Sequence, residues 1–565
     1  MQIRSYFFLI LTILTLASCS EQSNVQPSEM GTMVGPDSLS VPSPEALIEE
    51  ILHEHVAILA SDEFEGRAPA TAGEEKTISY LRQQFEALGI APGNDGSYFQ
   101  SVDVTEISMS SDTVLQIQGS SFGASFNYGE EMIVGTQQQI PSITVLNSDM
   151  VFVGYGIVAP ERNWNDYKGI DVTDKTVVIL VNDPGYATQD PELFNGNSMT
   201  YYGRWTYKYE EAARQGAAAA LIVHETGPAG YGWGVVSNSW SGPQIGLTST
   251  NLNDNLNEIE GWLTLDSADA LFDGAGLNYQ ELKSAASQAG FMAVELSDLK
   301  ASVSIENTIR TSTSQNVVAV IPGSTRPEET IVYSAHWDHL GINTGMQGDN
   351  IFNGAADNAS GTAGLLALAY LHSQQASTDR TIVFLSVTAE ESGLLGSQWY
   401  AENPIYPIAT TVANINIDNM NTFGRMKDVV VVGARSSELE NYLEQSAQLQ
   451  GRYIKSEPTP ERGYYYRSDH FNFAKVGVPA LYAGSGEDHV DSGIEYGSAQ
   501  AQNYTDNRYH AVSDEYNPEW DLSGAAEDIF LYFDIASKLA NETTYPEWFE
   551  GNEFKAIRDA TSTQR

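Results

Sequence analysis

Apolar positions along this chain follow two periods, and the change from one to the other divides the sequence. From Ala46, "ALIEEILHEHVAILAS" and "EEKTISYLRQQFEALG" space their apolar residues as helices do, and Gly89 ends the second. Between them "SDEFEGRAPATAG", with its glycines and Pro69, reads as an irregular connector. Over about residues 140–270 short apolar runs take over: "MVFVGYGIV", "KTVVILVND" and "AAAALIVHE" predict strands, and "YKYEEAARQG" a helix. From about residue 314 the runs "NVVAVIPG", "TIVYSAHWDHLG", "TIVFLSVTAEESG", "VANINIDNM", "VVVVGA" and "ALYAGS" predict strands, with "GTAGLLALAYLHSQ" and "SELENYLEQSAQLQG" as helices between them. Long apolar strands separated by helices imply a sheet buried on both faces and mostly parallel. The fold expected is therefore α/β: a mostly parallel central sheet flanked by helices, with a smaller α/β unit inserted.

Length and charge narrow this picture. A chain of 565 residues exceeds one ordinary core and predicts two to four packing units. Lys and Arg number 28 against 74 Asp and Glu, a formal net charge of −46, so there is no basic footprint for a nucleic-acid partner. A strongly solvated acidic surface suits a protein working outside the cell or in salty water. At the N-terminus, Arg4 precedes "FFLILTILTLA", too short to span a bilayer and long enough for a signal-peptide core. It ends in "LASC", which resembles a bacterial lipoprotein signal. That resemblance implies an exported, cell-envelope protein tethered to the membrane through a lipid anchor at Cys19; a plain secretory signal is the alternative. Cys19 is the only cysteine, so an intrachain disulfide and a thiolate zinc site are excluded. The following "SEQSNVQPSEMGTMVGPDSLSVPSPE" is polar and aperiodic, a flexible tether. The expected division is a signal peptide (1–19), a linker (20–45), a first part of the main domain (46–135), an inserted unit (136–275), the main domain proper (276–545) and a tail (546–565).

Chemistry-bearing residues collect where the strands from residue 314 onward end. His336 and Asp338 follow "IVYSA", Asp357 and Asn358 sit in "NGAADNASG", Glu390 and Glu391 follow "TIVFLSVTA", Asp418 follows "ANINI", and His510 lies in "NRYHAVSD". In open parallel sheets ligands gather beyond the carboxyl ends of the strands. Each residue alone has an ordinary explanation: Asp357 or Ser360 as a helix cap, the Glu pair as first-turn acids, Asp418 as a turn residue, His510 as a surface histidine. Together, two histidines and several carboxylates suit Zn²⁺, with one carboxylate bridging if two ions are bound about 3.5 to 4 Å apart.

The combination "ILASDEFEGRAPATAG", "AHWDHLG", "GAADNASG", "TAEESGLLGS", "INIDNM" and "YHAVSDE" resembles the di-zinc exopeptidases that include bacterial leucyl aminopeptidases, vacuolar-type aminopeptidases and glutamate carboxypeptidase II. The resemblance implies two Zn²⁺ per chain: His336 and Asp418 on one, Glu391 and His510 on the other, and Asp357 bridging. It also implies Asp338 as the acid that orients His336, and Glu390 as the general base that deprotonates a metal-bridging water and later protonates the leaving amine. Tyr509 would donate a hydrogen bond to the oxyanion. The stretch "DYKGIDVTDKTVVILVND" with "YKYEEAARQGAAAALIVHE" resembles a protease-associated domain, a non-catalytic module that shapes substrate entrances.

His339 and His470 are read as supporting residues outside the ligand set, and "GYYYRSDHF" as a pocket wall in which Tyr466 and Arg467 contact substrate. His53, His55 and His224 are read as ordinary structural histidines. The activity expected is hydrolysis of N-terminal residues from exported or extracellular peptides, with a carboxypeptidase or a glutaminyl-cyclase-like acyltransferase as alternatives. A binding module without catalysis would lack ligands or the base, and none is missing here.

Overall fold

Ser43 caps the first helix, Pro44–Leu59, through its side chain, with Pro44 at the first helical position, where a missing N–H costs nothing. This computed structural model describes residues 43–110, 112–249, 255–563 and 565. The signal segment, Cys19 and nearly all of the 20–45 linker lie outside the described residues. The second helix, Ala72–Ala87, follows a connector in which Glu65, Gly66, Arg67 and Ala70 all have positive φ. Its irregularity is what the glycines and Pro69 predict.

Two sheets carry the rest, and one strand belongs to both. Val294–Ile321 pairs antiparallel through residues 294–306 with Ser142–Phe152 and through 307–317 with Phe99–Met109. Beyond it, in the main sheet, come Arg380–Val387, Arg326–His336, Thr411–Asn416 and Ala480–Ser485, mutually parallel from one to the next. Arg326–His336 thus lies in the middle. The centre of the main sheet is parallel as expected, and its flanking strands are antiparallel, Val294–Ile321 against Arg380–Val387 among them.

Successive residues of the parallel strands point to opposite faces, and both faces are covered. Ile331, Tyr333, Ile382 and Phe384 pack with the helices Pro44–Leu59, Gly361–Gln374 and Ser523–Asn541. Val332, Val383 and Leu385 pack with Tyr400, Phe473 and Val478 on the other face. Burying each such side chain contributes roughly 1.5 to 3 kcal/mol, which is why these strands read as unbroken apolar runs.

The second sheet is built from Val114–Gln118, Gly123–Asn127, Met132–Gly135, Ser142–Phe152, Thr176–Leu180, Ala219–Val223 and Ile259–Leu263, plus the first half of the shared strand. Its strands run from residue 114 to residue 306, wider than the 136–275 expected, because the polar alternation of Val114–Gln118 and Gly123–Asn127 hides two half-exposed antiparallel strands. Among the described residues no helix is long and apolar enough to cross a membrane.

The two sheets meet along an aromatic seam. Tyr201 packs edge to face on Phe471, with 5.0 Å between ring centroids, and Lys475 pairs with Glu210 at 2.8 Å. The Met199 amide donates to the Pro460 carbonyl at 3.1 Å.

Candidate metal centre

Three chain segments leave the carboxyl ends of adjacent parallel strands, and two others join them, to deliver acids and imidazoles to one place. His336 is the last residue of its strand. Glu390 and Glu391 follow Arg380–Val387 after Ala389, whose φ of 53° turns the chain. Asp418 lies two residues beyond Thr411–Asn416. Asp357 sits in the loop entering Gly361–Gln374, next to a cis Asp357–Asn358 peptide. His510 arrives from the far side, after the helix Gly493–Asn507.

The ordinary explanations for several of these residues fail on inspection of the local bonds. Asn358, not Asp357 or Ser360, caps the helix: its Oδ1 accepts from the Gly361 amide at 2.9 Å and the Asn419 amide at 3.1 Å. Its Nδ2 donates to Ile417 O, tying the Asp357 loop to the Asp418 loop. Glu390 and Glu391 precede the helix Leu395–Glu402 by several residues, so they are not its first-turn acids.

Asp357 divides its two oxygens between the two histidines. His336 Nε2 is 3.4 Å from Asp357 Oδ1 and 3.3 Å from Asp418 Oδ1. His510 Nε2 is 3.2 Å from Asp357 Oδ2 and 3.1 Å from Glu391 Oε2. One imidazole nitrogen carries at most one proton, so it cannot donate well to two carboxylates at once. Four ligands held about 2.0 to 2.1 Å from a tetrahedral zinc ion stand roughly 3.3 Å apart, close to the separations seen. Ligand atoms of His336, Asp357 and Asp418 all lie within 4.8 Å of one another, as do those of His336, Glu390 and Glu391 and of His339, Asp357 and Glu391. The nitrogen and oxygen donor set fits zinc, with His336 and Asp418 on one side of Asp357 and Glu391 and His510 on the other.

Electrostatics reflect this crowding of acids. Burial, reinforced by Asp418, Glu391 and Asp469 against the pull of His336, holds the Glu390 carboxyl well above the usual carboxylate range. Burial opposes ionisation of Asp357 too, but bonds from His336 and His510 overcome it and hold that carboxyl below its ordinary value. Burial also works against a charged His336, yet Glu390 and Asp418 keep it well above the usual imidazole range. Burial pushes Asp338 up to about 7.

Asp338 is placed differently from the orienting acid expected. His336 Nδ1 lies 3.2 Å from the Asp338 backbone carbonyl oxygen, with the Asp338 carboxyl farther off at 3.8 Å. That carboxyl accepts instead from the Glu390 amide at 3.1 Å and the Glu391 amide at 3.4 Å, fixing the turn that presents both glutamates. Tyr509 is half exposed, its ring stacked on His510 with 3.9 Å between centroids. Tyr466 does not form a pocket wall: its buried hydroxyl donates to Met199 O at the seam between the sheets. Arg467 lies over the rings of Tyr464 and Tyr231 and has no ion pair among the described residues. His470 is buried under Tyr465 and Tyr482, apart from the ligand set.

Three supporting residues carry roles that sequence reasoning did not assign. Asp514 Oδ2 accepts from the amides of Ala356 and Asp357, both at 3.1 Å. The Ser468 hydroxyl donates to Asp418 Oδ2 at 2.5 Å. Arg67, 1% exposed, donates to the carbonyls of Leu59, Trp337, Asn353 and Gly354. The one signal for Arg67 was that it is the lone cation of the connector "SDEFEGRAPATAG".

Comparison with known proteins bears on the same region. The model of peptidase family M28 matches residues 316–534. Aminopeptidase NAALADL1 of Mus musculus is 34% identical over 122 residues, 20% of this chain and 15% of that protein. A probable zinc metalloprotease of Pyrenophora teres f. teres is 37% identical over 103 residues, 18% of this chain and 22% of that protein. The matched segments thus span less than a quarter of these curated relatives. Among solved structures, the aminopeptidase from Aneurinibacillus sp. strain AM-1 is similar over 89% of this chain and 97% of its own, with 19% identity and a TM-score of 0.47. The peptidase M28 precursor from Shewanella amazonensis is similar over 89% and 97%, with 16% identity and a TM-score of 0.40. Residues 316–534, which contain His336, His510, Asp357, the glutamate pair and Asp418, are the part of the chain that matches the peptidase family M28 model.

Proposed function

We propose that this chain is a zinc-dependent exopeptidase that removes N-terminal residues from exported or extracellular peptides. The observation that carries the reading is the division of Asp357 between His336 and His510, one histidine on each carboxylate oxygen. His336, Asp418, Asp357, Glu391 and His510 would hold two zinc ions there, which when bound would lower the pKa of a water and polarise the scissile carbonyl. Glu390 takes the proton from the attacking water and returns it to the leaving amine. Its carboxyl lies within 4.8 Å of ligand atoms of His336 and Glu391, in reach of a water held at that centre. Tyr509, on the solvent side of His510, is the donor proposed for the developing oxyanion.

Beside Asp418 opens a cavity of about 310 Å³ whose apolar wall includes Ile417, Met420, Phe423, Val430 and Val432. We assign it to the side chain of the residue being removed. One observation favours the carboxypeptidase alternative: Arg467 has no ion pair among the described residues, and its charge adds to the burial that depresses the Arg204 guanidinium to about 10. Such a pair suits a terminal carboxylate. The resemblance carried by "DYKGIDVTDKTVVILVND" and "YKYEEAARQGAAAALIVHE" supports a protease-associated role for the inserted unit, and "LASC" supports export with a lipid anchor at Cys19.

The test is hydrolysis of aminoacyl p-nitroanilides and of dipeptides blocked at either end by the zinc-loaded protein. Cleavage that survives C-terminal blocking and is abolished by N-terminal blocking supports the aminopeptidase. The reverse pattern supports the carboxypeptidase, and no cleavage of any unblocked peptide refutes both.

A further inference from the structure

His339 follows His336 by three residues and falls outside the five-ligand set, yet it is not idle. Its side chain is fully buried, and its Nδ1 stands 2.7 Å from Glu391 Oε1. Glu391 Oε2 is the oxygen turned toward His510 Nε2. The carboxylate is therefore split: one oxygen faces the metal centre and the other faces His339.

The ring has little freedom to do otherwise. A Cβ on Gly354 would lie 2.4 Å from His339 Cγ, so the backbone of that loop presses directly on the imidazole. The His339 amide donates to Arg67 O at 3.4 Å, which fixes the backbone that carries the ring. His339 Nε2 is buried without a hydrogen-bond partner among the described residues. An ionised carboxylate only accepts, so Nδ1 is the nitrogen that donates, and Nε2 in the neutral ring carries no proton that would need a partner.

We propose that His339 is a positioning residue for the metal centre: by holding Glu391 Oε1, it leaves Oε2 as a single, fixed ligand for the ion shared with His510. A carboxylate free to rotate would offer either oxygen, or both, and the ion would lose a defined donor. Partners of this kind change metal affinity by about 10- to 100-fold when removed. The inference rests on the two-zinc reading above, and its test separates the two.

Zinc binding to the metal-stripped full chain is measured by chelator competition, with unfolding midpoints recorded alongside. The wild type should bind two ions. His339→Leu should bind one of them about 10- to 100-fold more weakly and leave the other within about threefold. His339→Asn puts an amide N–H where Nδ1 stands and should restore binding to within about threefold of the wild type. His339→Gln puts its amide where Nε2 stands and should behave as the Leu variant does. Should the Leu variant not fold, the Asn and Gln variants still decide the matter, since a merely space-filling role would make them equal. Wild-type affinity for both ions in His339→Leu or His339→Gln overturns the proposal, as does equal loss in Asn and Gln. A wild-type chain that binds no zinc overturns the metal-centre reading and this proposal with it.

Discussion

Arg67 donates from Nη2 to the carbonyl oxygen of Gly354 at 2.8 Å, joining the connector between the first two helices to the loop that carries Asp357. Its Nη1 and Nε reach the carbonyls of Leu59, Asn353 and Trp337 at 2.7 to 2.9 Å. One buried cation thus holds three segments, and its charge lies among Asp514, Asp338, Asp357 and Glu391.

Replacing Arg67 by Met keeps most of the volume and leaves four buried carbonyls without their donor. The expected cost is about 3 to 5 kcal/mol of unfolding free energy, read from denaturant midpoints. Arg67→Lys has too few donors for four carbonyls and should recover only part of it. A Met variant as stable as the wild type would remove Arg67 from the account of how the loop is held.

Glu390→Gln removes the proton carrier and keeps shape. The expectation is full zinc content with turnover reduced by about 10²- to 10⁴-fold, measured by metal analysis and steady-state kinetics on the same sample. Turnover near wild type would place the base elsewhere.

The strand ends were legible because chemistry interrupts an apolar pattern there: "TIVYSAH" and "TIVFLSVTAEE" are runs that no core position would finish with those residues. Helices with a clear 3.6 period, such as Pro44–Leu59, were legible for the same kind of reason. What escaped were features set by distant backbone. Arg67 binds carbonyls up to 287 positions away, and no local period records that. Asp338 sits beside His336 in sequence, which suggested an orienting partner, while the fold gives its carboxyl to the amides of the glutamate turn. Tyr466 looked like a pocket residue beside Arg467, but neighbours along an irregular segment point in different directions, and Tyr466 turns into the seam. The half-exposed strands from residue 114 onward escaped because their alternation is mostly polar.

Gly354 has φ of 53°, and a Cβ there would meet Asp357 O at 2.3 Å as well as the His339 ring. Gly354→Ala should therefore cost at least about 1 to 2 kcal/mol for the left-handed backbone alone and should weaken zinc binding by moving the Asp357 loop. Thermal unfolding and chelator titration check both halves. Unchanged zinc affinity would show that the loop tolerates displacement.

Glu260, in the second sheet, tests the inserted unit independently of the metal centre. Burial raises its pKa to about 7 from an ordinary 4.5, against the lowering effect of the Gln137 and Asn257 side chains. The folded chain therefore binds more protons than the unfolded chain between those two values. Stability contributed by the protonated form is present below pH 4.5, falls as pH rises toward 7, and is gone above it. Glu260→Gln should accordingly stabilise the protein at pH 8 by about 2 to 3 kcal/mol and do little at pH 4.5. A variant with the same effect at both values would contradict the assigned shift.

The central claim is a centre built for two ions around one bridging aspartate, and the most direct measurement is zinc bound per chain. After dialysis against buffered zinc, the wild type is predicted to hold two ions and Asp357→Ala to lose tight binding of both, because each ion shares that carboxylate. One ion or none in the wild type, or two tightly held ions in Asp357→Ala, would contradict the account.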